Sequence, residues 1–407
     1  MVTDSSFYSG NREALKSRLD GDTVAVFFAG EIKDMSADTS YRFQPDRNFF
    51  YLTGITRADF VLVISSDETV IYAPAKDSYK ERWSGKRLTH EQISGISGID
   101  VSCVKDLELC EEDLLALAKS GNKIALDGSS IMKGPRKFKE TITKQGRQPL
   151  DISPVMTELR LIKQPYELDC IREACKATEE ALDEMKKLIR PGVSEYELAT
   201  RLEYEMARRT SQIFAFETIV SCNTNVFYLH HAEPENCGEG VAREGSVIQV
   251  DCGARVGGYC ADISRVYFVG EPEEGDRRML LLDLIRQLRR EAFSFIAPGK
   301  TFAELNSQMY DICKRWLDKQ GLISDNLPNN VRDYYWHNTS HYLGLDVHDT
   351  GNRTRKFTGG ECLAVEPGVY IPEWGIGFRI EDDVVVTPDG CELLSSGRDD
   401  PEGIIAR

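Results

Sequence analysis

Apolar residues in the first part of the chain form short continuous runs that alternate with segments of helical spacing. Residues 24–29, 60–64 and 69–73 are the clearest runs, and residues 109–119 repeat apolar side chains at the spacing of an amphipathic helix. Turn residues lie between these segments. The pattern predicts a self-contained α/β domain over residues 1–152.

The pattern changes after residue 152, which indicates a domain boundary. Residues 153–165 contain two prolines around the sequence TELRLIKQ, and a long amphipathic helical pattern follows over residues 166–189. We therefore predict that a second domain occupies residues 153–407.

The second domain contains one helical pattern twice. The sequences LIRPGVSEYELATRLEYEM (188–206) and FIAPGKTFAELNSQMYDIC (295–313) both have Pro-Gly, then a serine or threonine, then a glutamate three residues later. Ser or Thr followed by Glu at this spacing forms a capping box, and Pro-Gly ends the preceding helix. Each copy therefore predicts a pair of helices joined by a turn.

Strand patterns follow the helices in both copies and carry acidic residues at matching positions. GSVIQVDCG (245–253) aligns with GECLAVEPG (360–368), and each is followed by a second apolar run after a turn that contains glycine. We expect two hairpins with inward-facing carboxylates in the middle of apolar strands: Asp251, Asp262, Glu366 and Glu381. A buried carboxylate costs several kcal/mol when it has no partner.

Divalent metal ions are the economical way to neutralise these carboxylates. Lys and Arg are scarce in these strands apart from Arg265 and Arg379, and two divalent cations balance four carboxylates. Five of the six histidines lie in one part of the chain: His230, His231, His337, His341 and His348. An oxygen-rich site with one or two imidazoles suits Mn²⁺, Co²⁺, Fe²⁺ or Zn²⁺. Two such ions roughly 3.5–4 Å apart can hold a hydroxide and polarise a carbonyl, so the pattern predicts amide hydrolysis.

Charge and composition exclude several classes of protein. The chain has 50 Lys and Arg residues against 66 Asp and Glu, a net charge of −16, which repels phosphate backbones and argues against nucleic acid as a partner. No stretch approaches the ~20 apolar residues of a bilayer span, and the N-terminus lacks an apolar signal core, so we expect a cytoplasmic protein with no membrane partner. The eleven cysteines are irregularly spaced without C-x-x-C, which argues against a disulfide framework or a zinc ribbon.

Five motifs of the second domain form a recognisable set. They are HNTSHYLGLDVHD (337–349), VDCGA, ADISR, VEPGVY and GFRIEDDVV. The set closely resembles the pita-bread metallopeptidases, specifically aminopeptidase P and prolidase. Upstream, SADTSYRFQPDRNFFYLTG (36–54) resembles the N-terminal domain of the aminopeptidase P group, and TELRLIKQPYELD resembles its linker. The resemblance implies an α/β (α+β) fold, in which a creatinase-like N-terminal domain precedes a pita-bread catalytic domain with an internal pseudo-two-fold repeat.

The resemblance also implies a role for each candidate site residue. Two divalent ions, with Mn²⁺ expected first and Co²⁺, Zn²⁺ or Fe²⁺ as alternatives, would have five ligands: Asp251, Asp262, His341, Glu366 and Glu381. Glu366 would act as general base and acid, and His348 would contact the substrate and stabilise the developing oxyanion. The proline side of the pocket would be lined by His230, His337 and Arg379, and His230 also counts among the catalytic residues. A plain salt bridge to a strand carboxylate is the alternative role for Arg379.

The activity that follows from the resemblance is that of an Xaa-Pro aminopeptidase, which cleaves peptides between the N-terminal residue and a proline at the second position. An Xaa-Pro dipeptidase (prolidase) is the alternative, because the metal-site motifs do not show whether the pocket closes around a free proline carboxylate. Methionine aminopeptidase usually lacks the first domain, and creatinase works without metal. A catalytically inactive binding protein is disfavoured because all five ligand positions are occupied.

The family further implies assembly into dimers or larger homo-oligomers through the first domain. Four aromatic residues of that domain are expected in the core rather than at an interface: Phe49, Phe50, Tyr51 and Trp83. The sequence departs from the family signature at Asn338, which follows His337 and bears on the shape of the pocket more than on metal binding.

Overall fold

The computed structural model describes residues 4–128, 133–324, 326–397 and 405–406. The chain divides into two compact units, residues 1–160 and residues 161–407. The boundary expected between residues 152 and 153 coincides with the start of a helix, Ser153–Leu161, and the division between the units falls near the end of that helix.

The first unit contains a six-stranded mixed sheet. Its strands in chain order are β1 (Thr23–Phe28), β2 (Val61–Ile64), β3 (Thr69–Ala73), β4 (Val104–Asp106), β5 (Lys123–Leu126) and β6 (Leu150–Asp151). In space the order is β4-β3-β2-β1-β5-β6, with β2 antiparallel to both of its neighbours and the remaining pairs parallel. The three predicted strand runs are therefore confirmed, and their apolar side chains form a core with those of the neighbouring helices.

Seven α-helices accompany this sheet in the described residues: α1 (Ser5–Lys16), α2 (Arg47–Thr53), α3 (Glu81–Ser84), α4 (His90–Ser97), α5 (Cys110–Lys119), α6 (Lys133–Lys144) and α7 (Ser153–Leu161). The helix predicted over residues 109–119 is confirmed as α5. In α2, the side chains of Phe49, Phe50 and Tyr51 are buried as expected. Trp83 is 80% exposed, so the expectation that it lies in the core is wrong, because α3 is a single turn with no buried residue.

The second unit begins with the helical part of the repeat. Its helices are α8 (Pro165–Lys186), α9 (Glu195–Thr210), α10 (Arg277–Phe295) and α11 (Phe302–Lys319). Both predicted capping boxes are formed: Ser194 Oγ accepts from the Glu197 N–H at 3.2 Å, and Thr301 Oγ1 accepts from the Glu304 N–H at 3.2 Å. The long helix predicted over residues 166–189 is confirmed as α8.

The strands of the second unit fall into two similar four-stranded sheets and two short hairpins. They are β7 (Ile219–Cys222), β8 (Val247–Cys252), β9 (Arg255–Val256), β10 (Tyr259–Cys260), β11 (Ile263–Val269), β12 (Ser340–Tyr342), β13 (Cys362–Val365), β14 (Gly368–Ile371), β15 (Ile376–Arg379), β16 (Asp382–Thr387), β17 (Gly390–Leu393) and β18 (Ile405–Ala406). The sheet orders are β18-β11-β8-β7 and β12-β13-β16-β17, and β9-β10 and β14-β15 are the hairpins. In each copy of the repeat, the predicted strand pair (β8-β11 or β13-β16) is antiparallel and follows a helix pair, and a third antiparallel strand that was not predicted (β7 or β12) completes the set.

The carboxylates of the repeat lie at breaks between strands more often than within them. Asp251 belongs to β8, whereas Asp262 directly precedes β11, Glu366 directly follows β13 and Glu381 directly precedes β16. The expectation of four mid-strand carboxylates is therefore wrong for three of them. One cause is Pro367, which has no N–H to donate and so ends the strand at this point.

The predicted α/β (α+β) fold class with two domains is confirmed. Apolar residues of α10 and α11 form one core with residues of the second sheet, including Ile285, Leu305 and Val384. None of the helices in the described ranges has the length and apolar character that a bilayer crossing requires.

Candidate metal centre

Three of the predicted metal ligands form a compact buried group. Asp262, His341 and Glu381 each offer one ligand atom, and these atoms all lie within 4.8 Å of one another. His341 Nε2 is 3.4 Å from Asp262 Oδ2 and 3.8 Å from Glu381 Oε1. Glu366 Oε1 lies 3.9 Å from the same nitrogen, so the imidazole faces three carboxylates. This is a donor set that suits a divalent first-row metal.

The fifth predicted ligand, Asp251, is tied to an arginine. Its Oδ2 accepts a hydrogen bond from the Arg379 guanidinium, and the two groups form a buried ion pair. Its other oxygen, Oδ1, is buried and has no hydrogen-bond partner. Because a buried carboxylate oxygen without a partner is costly, Oδ1 is the kind of atom that a bound cation would satisfy.

Burial and neighbouring negative charges raise the pKa values of two of these carboxylates. Burial raises the pKa of Asp262 well above its ordinary value, and the charge of Asp251 raises it further. Burial likewise raises the pKa of Glu381, with Asp262 as the next cause. A divalent cation bound here would favour the charged carboxylates and so oppose these pKa shifts.

Hydrogen bonds from neighbouring residues orient the ligands. His341 Nδ1 lies 3.0 Å from the carbonyl oxygen of Tyr342, which leaves Nε2 to face the carboxylates. Ser264 Oγ donates to Glu381 Oε2 at 2.9 Å. Hydrogen bonds within the protein therefore orient His341 and Glu381.

Every residue assigned to the site from the sequence lines one cavity of about 280 Å³. Besides the five ligands, these residues are His230, His337, His348 and Arg379. Arg379 forms the salt bridge to a strand carboxylate that is the alternative to its expected role, and it also lies in the cavity wall. His231, although part of the histidine cluster of the sequence, is hydrogen-bonded to Glu195 instead.

The histidines of the cavity differ in their surroundings. The rings of His348 and His341 lie with their centroids 4.1 Å apart. Burial lowers the pKa of His348, and His341 lowers it further, so this imidazole is neutral near pH 7. His337 Nδ1 is 3.4 Å from Glu366 Oε2, and its Nε2 is 3.1 Å from the Tyr370 hydroxyl. Burial raises the pKa of Tyr370 to about 12, so its hydroxyl stays protonated and can donate to His337.

Sequence reasoning missed several residues of the site. Arg353 lines the cavity, donates to the Ser340 carbonyl at 2.9 Å and lies over the ring of Phe302. Asp383 Oδ2 accepts from the backbone N–H of Asp262 at 2.9 Å, and burial raises the pKa of Asp383 to about 8. The acidic run after Arg379 was visible in the sequence as a surplus of charge in an apolar strand, which could have indicated Asp383.

A buried ion pair supports the loop that carries His348. Lys163 Nζ lies 2.9 Å from Asp349 Oδ2, and both side chains are 1% exposed. The N–H of Asp349 donates to the Tyr342 carbonyl, the same oxygen that His341 Nδ1 contacts. Both charged residues belong to motifs quoted above, but their pairing was not predicted.

Comparisons with known proteins agree with this geometry. Residues 169–388 match the model of metallopeptidase family M24, and residues 8–125 match the N-terminal domain of aminopeptidase P. The chain is 30% identical to the Xaa-Pro aminopeptidase of Escherichia coli, over 96% of this chain and 94% of that protein.

Solved structures are similar over the same extent. The structure of Escherichia coli aminopeptidase P with the inhibitor Pro-Leu has a TM-score of 0.88 and 26% identity, and covers 99% of this chain and 97% of its own. The zinc-substituted Escherichia coli enzyme in complex with product has a TM-score of 0.88 and 28% identity, with the same coverage. The chain therefore belongs to metallopeptidase family M24 and, within it, to the aminopeptidase P group.

Proposed function

We propose that this protein is an Xaa-Pro aminopeptidase, which hydrolyses the bond between an N-terminal residue and a proline at the second position. The observation that carries the proposal is the convergence of Asp262, His341 and Glu381, with the partnerless oxygen of Asp251 in the wall of the same cavity. The relatives named Xaa-Pro aminopeptidase and aminopeptidase P support the choice of substrate.

Two divalent cations fit the five ligands. Asp262, His341 and Glu381 form the buried group, and Asp251 and Glu366 in the same cavity would complete the set that holds the two ions. Mn²⁺ is the first choice because the set is rich in oxygen and holds one imidazole, and Co²⁺, Zn²⁺ and Fe²⁺ are alternatives. When bound, such ions polarise a substrate carbonyl and lower the pKa of water.

Glu366 is the residue that transfers the proton during hydrolysis. Its side chain is 18% exposed, more than those of the other three carboxylates, and it faces the cavity. Glu366 can accept a proton from the attacking water and return it to the leaving nitrogen as general base and acid. His337 Nδ1 lies 3.4 Å from the Glu366 carboxylate.

His348 and the proline-side residues bind the substrate. A neutral His348 can donate a ring N–H to the oxygen that becomes negative in the transition state. The cavity is also lined by His230, His337 and Arg379. Because proline has no N–H and a fixed φ, this side of the pocket needs shape rather than a hydrogen-bond acceptor for the substrate backbone.

One observation favours an Xaa-Pro dipeptidase as the second candidate. The Arg353 guanidinium in the cavity wall is a fitting partner for the carboxylate of a free C-terminal proline. The guanidinium already donates a hydrogen bond to the Ser340 carbonyl and makes a cation–π contact with the ring of Phe302. These two contacts fix its orientation.

Comparison of matched peptides separates these functions. We expect Xaa-Pro-Yaa tripeptides to be cleaved in Mn²⁺, and Xaa-Ala-Yaa tripeptides to be cleaved poorly, since alanine does not fill a proline-shaped slot. The assay measures initial rates with Mn²⁺, Co²⁺ or Zn²⁺. Cleavage restricted to Xaa-Pro dipeptides would establish the dipeptidase, and no cleavage with any of these metals would indicate an inactive binding protein.

We further propose a cytoplasmic homo-oligomer, a dimer or larger. The free cysteines fit a reducing compartment. In the first unit, Tyr79 and Trp83 expose large aromatic surfaces of the kind that interfaces cover. Peptides with proline at the second position are the expected partners, and the net charge of −16 disfavours nucleic acid.

A further inference from the structure

The carboxylate of Glu195, at the start of α9, is fully buried and lies outside the lining of the metal-centre cavity. It accepts hydrogen bonds from the backbone N–H groups of Cys222 at 2.6 Å and Glu235 at 2.9 Å. The Asn225 side-chain amide donates to it at 3.0 Å, and His231 Nε2 lies 2.9 Å from its second oxygen. Each oxygen of the carboxylate therefore has two hydrogen-bond partners.

All four partners belong to one segment, residues 222–235, and that segment reaches the cavity. Leu229 and His230 are its two cavity residues. The Leu229 carbonyl accepts from the Arg379 guanidinium at 3.4 Å, and Arg379 is paired with Asp251. The segment is thus attached to Glu195 at its two ends and in its middle, and to the metal centre through Leu229.

The segment also contains a strained residue that other hydrogen bonds hold in place. Asn223 has a φ of 51°, a left-handed conformation that persists in a non-glycine residue when its surroundings hold it. Its side chain donates to the Glu239 carbonyl at 2.8 Å and accepts from Ser246 Oγ at 2.6 Å. A negative charge at the N-terminus of α9 is also favoured by the helix dipole and by hydrogen bonds from N–H groups.

We propose that Glu195 is a positioning residue for His230. Its hydrogen bonds fix residues 222–235, so that His231 is held by Glu195 while His230, the next residue, stays at the cavity wall. The inference rests on the proposed function in one respect, because it takes His230 as a residue that contacts the substrate.

Amide hydrogen exchange tests the attachment without any activity measurement. In the metal-loaded protein, Glu195→Gln is expected to speed exchange within residues 222–235 by roughly tenfold or more, because one oxygen is replaced by a group that cannot accept the His231 and Glu235 hydrogen bonds. Glu197→Gln is the matched control. Glu197 is an exposed residue of the same helix, and its hydrogen bonds in the described part of the chain are to Ser194 rather than to residues 222–235. In Glu197→Gln, amide exchange within residues 222–235 is expected to match that of the wild type.

His231→Asn serves as a second variant if Glu195→Gln does not fold. It removes one of the four partners and is expected to give a smaller increase in exchange, confined to the same segment. Unchanged protection of residues 222–235 in the folded variants would overturn the proposal.

A double-mutant cycle connects the attachment to the reaction. On an Xaa-Pro-Yaa tripeptide, Glu195→Gln is expected to raise KM, and His230→Ala to cost less in the Glu195→Gln background than in wild type. Equal costs in both backgrounds would mean that Glu195 acts only on overall structure, and would overturn the proposal. A wild-type protein that cleaves no Xaa-Pro peptide would refute the proposed function instead, while hydrogen exchange would still decide the role of Glu195.

Discussion

Asp262→Asn is expected to lower kcat/KM for an Xaa-Pro-Yaa tripeptide by roughly a thousandfold or more. The substitution keeps the size of the side chain but removes the charge of a ligand that lies 3.4 Å from His341 Nε2. Metal ions contribute several kcal/mol to transition-state stabilisation, and each 1.36 kcal/mol corresponds to about a factor of ten in rate. Steady-state kinetics at fixed Mn²⁺ measures the effect.

Asp389→Asn is the matched control for this experiment. Asp389 is an exposed residue of the turn between β16 and β17 in the same unit, so the same chemical change is expected to leave kcat/KM unaltered. Thermal melting of both variants shows that they are folded. Wild-type kcat/KM in a folded Asp262→Asn variant would contradict the assignment of Asp262 as a ligand.

Lys163→Met is expected to reduce the free energy of unfolding of the second unit by about 3–5 kcal/mol. Lys163 and Asp349 are buried together, and the substitution removes the ammonium that lies 2.9 Å from the Asp349 carboxylate at a position 1% exposed. Methionine keeps most of the volume of the lysine side chain, so the loss of stability measures the removal of the charge rather than the creation of a cavity. Urea denaturation measures the change.

Lys187→Met provides the comparison. Lys187 forms an ion pair of 2.7 Å with Glu184, but its side chain is 66% exposed, so water and salt screen the pair and the unfolding midpoint is expected to stay near that of wild type. The double variant Lys163→Met with Asp349→Leu is expected to regain part of the stability, because the buried negative charge is removed together with the positive one. Equal midpoints for Lys163→Met and wild type would show that the buried pair contributes nothing.

Local patterns in the sequence were sufficient for much of the fold. The capping boxes at Ser194 and Thr301 depend on contacts three residues apart, and both helices begin where the pattern indicates. The repeat also predicted that carboxylates from both copies meet at one site, since matched strands in two related sheets present matched positions. Asp262 and Glu381 are such a pair.

Features that depend on contacts distant in sequence were not predictable in this way. Lys163 and Asp349 are 186 positions apart, and no local pattern indicates that they pair. The sequence predicts no more for Glu195 than an acidic residue in the first turn of a helix, yet Glu195 is fully buried and hydrogen-bonded to residues 222–235. The strand breaks beside the carboxylates also escaped the pattern, because an apolar run interrupted by one proline, as at Pro367, still looks continuous.

Metal content tests the central claim most directly, namely that the buried carboxylates of the second unit exist to bind a pair of cations. The protein is stripped with a chelator, reconstituted with Mn²⁺, dialysed, and analysed by elemental mass spectrometry beside Asp262→Asn. We predict about two ions per chain in the wild type and fewer in the variant. A wild-type chain that retains no transition metal after reconstitution, yet folds and cleaves Xaa-Pro peptides at its full rate, would contradict the account.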